Sequence, residues 1–155
     1  MGLDMYLYAK RHLRDYVPED KKIKNAIDDQ LPAVFKDVQE IKVAITYWRK
    51  ANAIHKWFVD NCQEGVDDCR ETYVEFEKLK QLYYTCQTIL ENPDKAEELL
   101  PTASGFFFGS TEYDDGYADD LLYTVNSLEL LMQTFVVDVL KDEPSRWEFY
   151  YRSSW

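Results

Sequence analysis

The sequence predicts an α+β fold: a mostly antiparallel sheet of about five strands with two or three helices packed on it. Three observations carry this. Apolar residues alternate with polar ones near residues 3–10 and 38–47. They recur at helical spacing over 48–62, 76–90 and 113–141. The resulting order, β-β-α-β-α-β-α-β, lacks the strict βα alternation of a parallel sheet. With 155 residues, 46% apolar and 15% aromatic, the chain suffices for one domain over 1–155 with its own core.

Leu3, Met5 and Leu7 alternate with Asp4, Tyr6 and Tyr8, which makes residues 3–10 a half-buried first strand. Residues 14–33 are charged and punctuated by Pro18 and Pro32, a long excursion or a short helix around 21–29. Residues 38–47 alternate again, with Val43, Ile45 and Tyr47 on one side, as a second strand. A helix over 48–62, stopped near Gly65, puts Trp48, Ala51, Ile54, His55, Phe58, Val59 and Cys62 on its core arc. Arg49, Asn52 and Lys56 share the adjoining arc.

Residues 69–74 read as a short third strand. The next helix spaces Phe76, Leu79, Leu82 or Tyr83, Cys86 and Leu90 and stops at Asn92 and Pro93. The apolar run at 105–109, Gly-Phe-Phe-Phe-Gly, is expected as a buried fourth strand. The longest helix, 113–141, steps Leu121, Val125, Leu128, Met132, Phe135 and Val139 by fours and threes. Thr111 and Asp114 before it have capping-box spacing. Residues 147–154, after Pro144, form the last strand.

The formal net charge of −11 argues against non-specific nucleic-acid binding, but it is unevenly spread. Residues 1–60 carry 11 basic and 9 acidic side chains; residues 61–155 carry 7 and 20. A basic-leaning half joined to an acidic one leaves room for a local anion site. No apolar run approaches the ~18 residues that span a bilayer, and residues 1–11 lack a signal-peptide layout, so a cytoplasmic protein without membrane contact is expected. Three cysteines, Cys62, Cys69 and Cys86, have no zinc spacing and read as reduced structural thiols.

The densest chemistry lies at 47–58. Tyr47, Trp48, Arg49, Lys50, Asn52, His55 and Lys56 put three cations, an amide and an imidazole among aromatic rings. Arg grips a phosphate in a fork, Lys adds a point charge, and an aromatic face stacks a base. An amphipathic helix with core aromatics and solvated cations has the same pattern. His55 is the natural general base for an enzyme, or a hydrogen-bonded core histidine. No G-x-S-x-G or Walker ending accompanies it. Ser110 and Thr111, following Gly109 at a helix start, are in place to add hydrogen bonds to a ligand. Glu112, Asp114, Asp115, Asp119 and Asp120 complement the helix dipole, or hold a hard cation such as magnesium. No cofactor or metal motif is evident. Trp155 is expected to dock on the sheet or in a partner, leaving homo-oligomers open.

Four blocks together make the chain resemble a family of small uncharacterised proteins of phages, prophages and bacteria. They are residues 2–7, the block at 47–58, residues 100–102 with 105–113, and Arg152, Ser153, Ser154 and Trp155 at the end. The resemblance implies a phage-type role in a bacterial cytoplasm and supplies no catalytic residues. Three functions follow as expectations. The first is a non-enzymatic binding protein for a nucleotide-like phosphorylated ligand, sequestering a host defence signal. Its anchors are Tyr47, Trp48, Arg49, Lys50, Asn52, His55, Lys56, Ser110 and Thr111. The second is an acidic, DNA-mimic-like inhibitor of a host protein. The third is a phosphate-ester enzyme using His55.

Overall fold

The computed structural model describes residues 2–35, 37–135 and 146–155. Four strands, β1 (Asp4–His12), β2 (Glu40–Arg49), β3 (Thr72–Val74) and β4 (Glu148–Ser154), form one antiparallel sheet in the order β2-β1-β4-β3. Five helices accompany it: α1 (Pro18–Asp28), α2 (Asn52–Cys62), α3 (Phe76–Glu91), α4 (Ala96–Leu99) and α5 (Asp115–Phe135). The fold is α+β, as expected, with four strands in place of about five.

Strand β1 is central because its alternation is the cleanest. Leu3, Met5, Leu7 and Ala9 are fully buried, and Phe149 and Tyr151 of β4 join them on the same face. Ile54 and Phe58 of α2, Leu79 and Leu82 of α3, and Leu121, Val125 and Leu128 of α5 complete this core. Each such large apolar side chain contributes about 2 kcal/mol by leaving water. The opposite face carries Tyr6, Tyr8, Tyr47, Tyr73 and Tyr150 with Lys10 and Lys42, whose ammonium groups both pair with Glu71. Lys42 sits 3.8 Å above the Tyr8 ring. Among the described residues no helix is long and apolar enough to cross a membrane.

The second strand departs from its simple alternation. Leu7 pairs with Thr46 but Tyr8 pairs with Ala44, so Ile45 is the extra residue of a bulge. An extra residue flips every side chain beyond it to the other face. Val43 and Ile45 lean to the core side, Tyr47 turns outward, and Trp48 turns inward, 2% exposed. Trp48 and Arg49 therefore end β2, and α2 starts at Asn52 rather than at 48.

The run 105–109 is a turn, not a fourth strand. No strand of the sheet comes from it, and β4 pairs with β1 and β3. Phe108 N–H closes on Gly105 O at 3.2 Å, and Gly109 adopts φ +85°. Phe106 at the tip is 94% exposed, so apolar composition here does not mean burial. The helix start also moves: Asp114, not Thr111, caps α5, its Oδ1 accepting Tyr117 N–H at 3.1 Å. The expected reach of this helix to 141, with Val139, lies outside the described residues.

Between β1 and β2, α1 is tied down by a buried carboxylate. Asp20 accepts hydrogen bonds from the Arg11 guanidinium, from Arg146 Nη1 at 2.8 Å and from Arg14 N–H at 3.1 Å. Burial pushes the Asp20 carboxyl up, but the Arg11 hydrogen bond, the Arg14 amide and both guanidinium charges outweigh it and hold it below the ordinary value.

Candidate functional site

The site forms where β2 turns into α2. Lys50 N–H donates to Leu3 O at 2.8 Å, and Lys50 itself takes φ +60°. Ala51, at φ −74° and ψ 70°, is the centre of an inverse γ-turn closed by Asn52 N–H on Lys50 O at 2.9 Å. A non-glycine residue at positive φ costs about 1–2 kcal/mol. The junction reverses direction within two residues, and α2 begins with no side-chain cap. The N–H groups of Ala53 and Ile54 consequently have no partner among the described residues.

Asn52 fastens the second wall to this junction. It is 4% exposed; its Nδ2 donates to Phe108 O at 3.0 Å and Ser110 O at 2.7 Å, and its Oδ1 accepts Ala103 N–H at 3.0 Å. One side chain thus clamps both limbs of the loop between α4 and α5. Gly109 is required where that loop crosses Lys50. Besides its positive φ, a Cβ there would come within 3.2 Å of Lys50 Cβ. Leu3 N–H holds Phe107 O at 3.2 Å, and Thr102 Oγ1 donates to Thr111 O at 2.9 Å. Ser110 Oγ accepts Glu112 N–H at 3.1 Å, which leaves its own hydrogen free to donate.

Between these walls and the first turns of α5 lies a cleft of about 280 Å³. Arg49 and Lys50 line it with the first turn of α2. Glu112 and, from the start of α5, Asp114 and Asp120 also line it, with Thr102, Ser110 and Tyr117. Neither Arg49 nor Lys50 has an ion-pair partner among the described residues. The Asp120 carboxyl is pushed up to about 6, first by burial and then by the charges of Asp119 and Asp114. The cleft is therefore bipolar: it holds two cations from the end of β2 and three carboxylates from Glu112 and the start of α5. Among the described residues no cluster of three or more His, Cys, Asp or Glu is arranged to hold a metal ion.

Of the nine residues singled out from the sequence, Arg49, Lys50, Asn52 and Ser110 line this cleft. Asn52 spends its polar atoms on the loop and so shapes the cleft instead of facing a ligand. Thr111 lends its carbonyl to Thr102 and does not line it. Trp48 is core, its Nε1 donating to Thr124 Oγ1 at 2.9 Å, so its ring is not free to stack on a ligand. Tyr47 is on the open sheet face and donates to the Asp4 carboxylate. Lys56 is half-buried and paired with Asp60 one turn on.

His55 is 1% exposed and does not line the cleft. Its Nδ1 lies 2.7 Å from Tyr151 Oη and its Nε2 lies 2.9 Å from Asp67 Oδ2. The Asp67 carboxylate only accepts, so Nε2 carries a hydrogen and donates to it; in the neutral imidazole Nδ1 is then the acceptor for the Tyr151 hydroxyl. Asp67 Oδ1 in turn accepts Trp155 Nε1 at 3.1 Å, and the Trp155 ring meets Phe108 edge-on, centroids 6.5 Å apart. Trp155 thus docks on Asp67 and the 105–109 loop rather than on the sheet, and stays 49% exposed. The four distant sequence blocks meet at this end of the sheet.

From the sequence the acidic wall reads as charges that complement the helix dipole or hold a cation, and not as one side of a cleft shared with Arg49 and Lys50. The available signal was the spacing of Tyr117 and Leu121, and of Gly116 and Asp120, each four apart on one side of α5. Protein-family models, curated proteins and solved structures yield no match to this chain.

Proposed function

We propose that this chain is a non-enzymatic binding protein for a small phosphorylated, nucleotide-like ligand, seated in the cleft at the β2–α2 junction. One observation carries the reading: Arg49 and Lys50, without an ion-pair partner among the described residues of a chain of net charge −11, share one cleft. Two neighbouring cations without counter-ions favour a phosphate, which would accept from both. The volume sits at the small end of ligand pockets and suits one nucleotide unit, with larger ligands extending out of the cleft. His55, with both ring nitrogens engaged away from the cleft, favours binding over catalysis. Retention of such a ligand fits a phage-type protein that withdraws a host defence signal in a bacterial cytoplasm.

Titration calorimetry with cyclic dinucleotides, ADP-ribose and mononucleotides tests this. Binding of at least one is expected, weakened at least tenfold by Arg49→Gln or Lys50→Gln and left unchanged by Lys56→Gln. Silence across the panel, or binding indifferent to the Arg49 and Lys50 substitutions, overturns it.

A further inference from the structure

We propose that the cleft selects guanine over adenine, with the Asp120 carboxylate receiving the base and Arg49 with Lys50 receiving the phosphate. This rests on the binding function proposed above and adds the identity of the base.

The Asp120 carboxyl has no hydrogen-bond or ion-pair partner among the described residues, although it is only partly exposed and lines the cleft. Its own neighbourhood does not supply one. Thr124, one turn further along α5, donates instead to the Asp120 backbone carbonyl at 2.7 Å and accepts Trp48 Nε1. Tyr117 spends its hydroxyl on Leu100 O at 2.9 Å, so it offers the cleft a ring and no donor. Both Asp120 oxygens remain available to a ligand, and a half-buried carboxylate without donors is costly to maintain.

The polarity of the cleft fixes the ligand's direction. A phosphate beside Asp120, with Asp114 and Glu112 on the same wall, meets like charge; beside Arg49 and Lys50 it meets opposite charge. The base is then the part that reaches the carboxylates. A carboxylate is acceptor-only, with two oxygens suited to two parallel N–H donors. Guanine presents that pair, N1–H and the N2 amine, on its Watson–Crick edge. Adenine and cytosine each set one amine beside a ring-nitrogen acceptor, whose lone pair opposes the second carboxylate oxygen. Uracil flanks its single N–H with carbonyl oxygens. Only guanine satisfies both Asp120 oxygens at once.

The test is calorimetry at pH 7.5 with ribose 5-phosphate, with GMP and AMP, and with cyclic di-GMP and cyclic di-AMP. Within whichever pair binds, the guanine form is expected to bind about tenfold or more tightly, the size of one well-formed bidentate base contact. Asp120→Asn should reduce that advantage to less than threefold while ribose 5-phosphate still binds, no more weakly than to the parent. Equal affinity for guanine and adenine ligands, or a preference that survives Asp120→Asn, overturns the guanine assignment and leaves the phosphate reading standing. Absence of binding by all five overturns the phosphate reading itself, and this inference with it. A cooperative melting transition of the variant, at or above the parent's temperature, establishes that the fold is retained.

Discussion

Replacing Asn52 by alanine removes the clamp that joins the two walls of the cleft. The substitution deletes three hydrogen bonds, to Phe108 O, Ser110 O and Ala103 N. At about 1 kcal/mol net for each bond the loss is about 3 kcal/mol. Alanine is the better helix former at this first position of α2 and returns up to about 0.7 kcal/mol. A net loss of about 2.5 kcal/mol remains, which lowers the melting temperature by roughly 5–10 °C in a chain of this size. Asn52→Asp separates the clamp from mere packing. It keeps the acceptor for Ala103 but turns a second oxygen toward two carbonyls at 3.0 and 2.7 Å. It should lose at least as much stability as alanine does. Differential scanning calorimetry reads the stability, and hydrogen exchange of residues 102–111 reads the loop. A melting temperature within 2 °C of the parent, with unchanged exchange in that loop, refutes the clamp as the element that builds the site.

Asp20→Asn should cost about 3 kcal/mol at pH 7, because it leaves the buried Arg11 guanidinium without its carboxylate; urea unfolding measures it. The folded carboxyl lies below its ordinary value of 3.8, so this contribution is present above about pH 4 and is lost as pH falls through the folded value. Asp120 has the opposite sign: its carboxyl is raised to about 6, so the folded protein loses stability as pH rises from 4 to 6. Asp120→Asn should accordingly raise the melting temperature at pH 8 and leave it unchanged at pH 4; a drop at pH 8 contradicts the unpaired state of this carboxylate. Burial pushes the Cys62 thiol up to about 11 and the Cys86 thiol up to about 12. Both should resist a maleimide in the native protein at pH 7 and react in urea, as mass spectrometry would show.

How far the fold could be read from the sequence depended on whether a single period governed a segment. In β1 every second residue from Leu3 to Ala9 is buried, and in α5 Leu121, Val125 and Leu128 keep helical steps, so both elements were legible. In β2 the period changes phase at Ile45, and a strict alternation places Tyr47 and Trp48 on the wrong faces. No local residue announces that bulge; it is set by pairing with β1, whose buried side must stay in register. The Gly-Phe-Phe-Phe-Gly run misleads for a related reason. Three consecutive phenylalanines cannot all face a core from a strand, and here the turn spends one of them, Phe106, on solvent.

The same shift of phase explains why only part of the cationic, aromatic block belongs to the site. Read as one helix from 48, the block places its aromatics on one arc and its cations on another. The chain instead breaks at Lys50 and Ala51, so that Trp48 is sealed under α5 while Arg49 and Lys50 are left at a strand end beside an uncapped helix. A break at positive φ on lysine is a local cost that strand and helix propensities both oppose. It is held by contacts from elsewhere: Leu3 O on the Lys50 amide, and Gly109 against the Lys50 side chain. Those contacts come from the amino-terminal strand and from the loop that Asn52 fastens. The cations are therefore placed by tertiary structure, not by their own helix. Loosening the loop at Asn52 should disturb Lys50, and ligand binding with it, before it disturbs the core beneath Trp48.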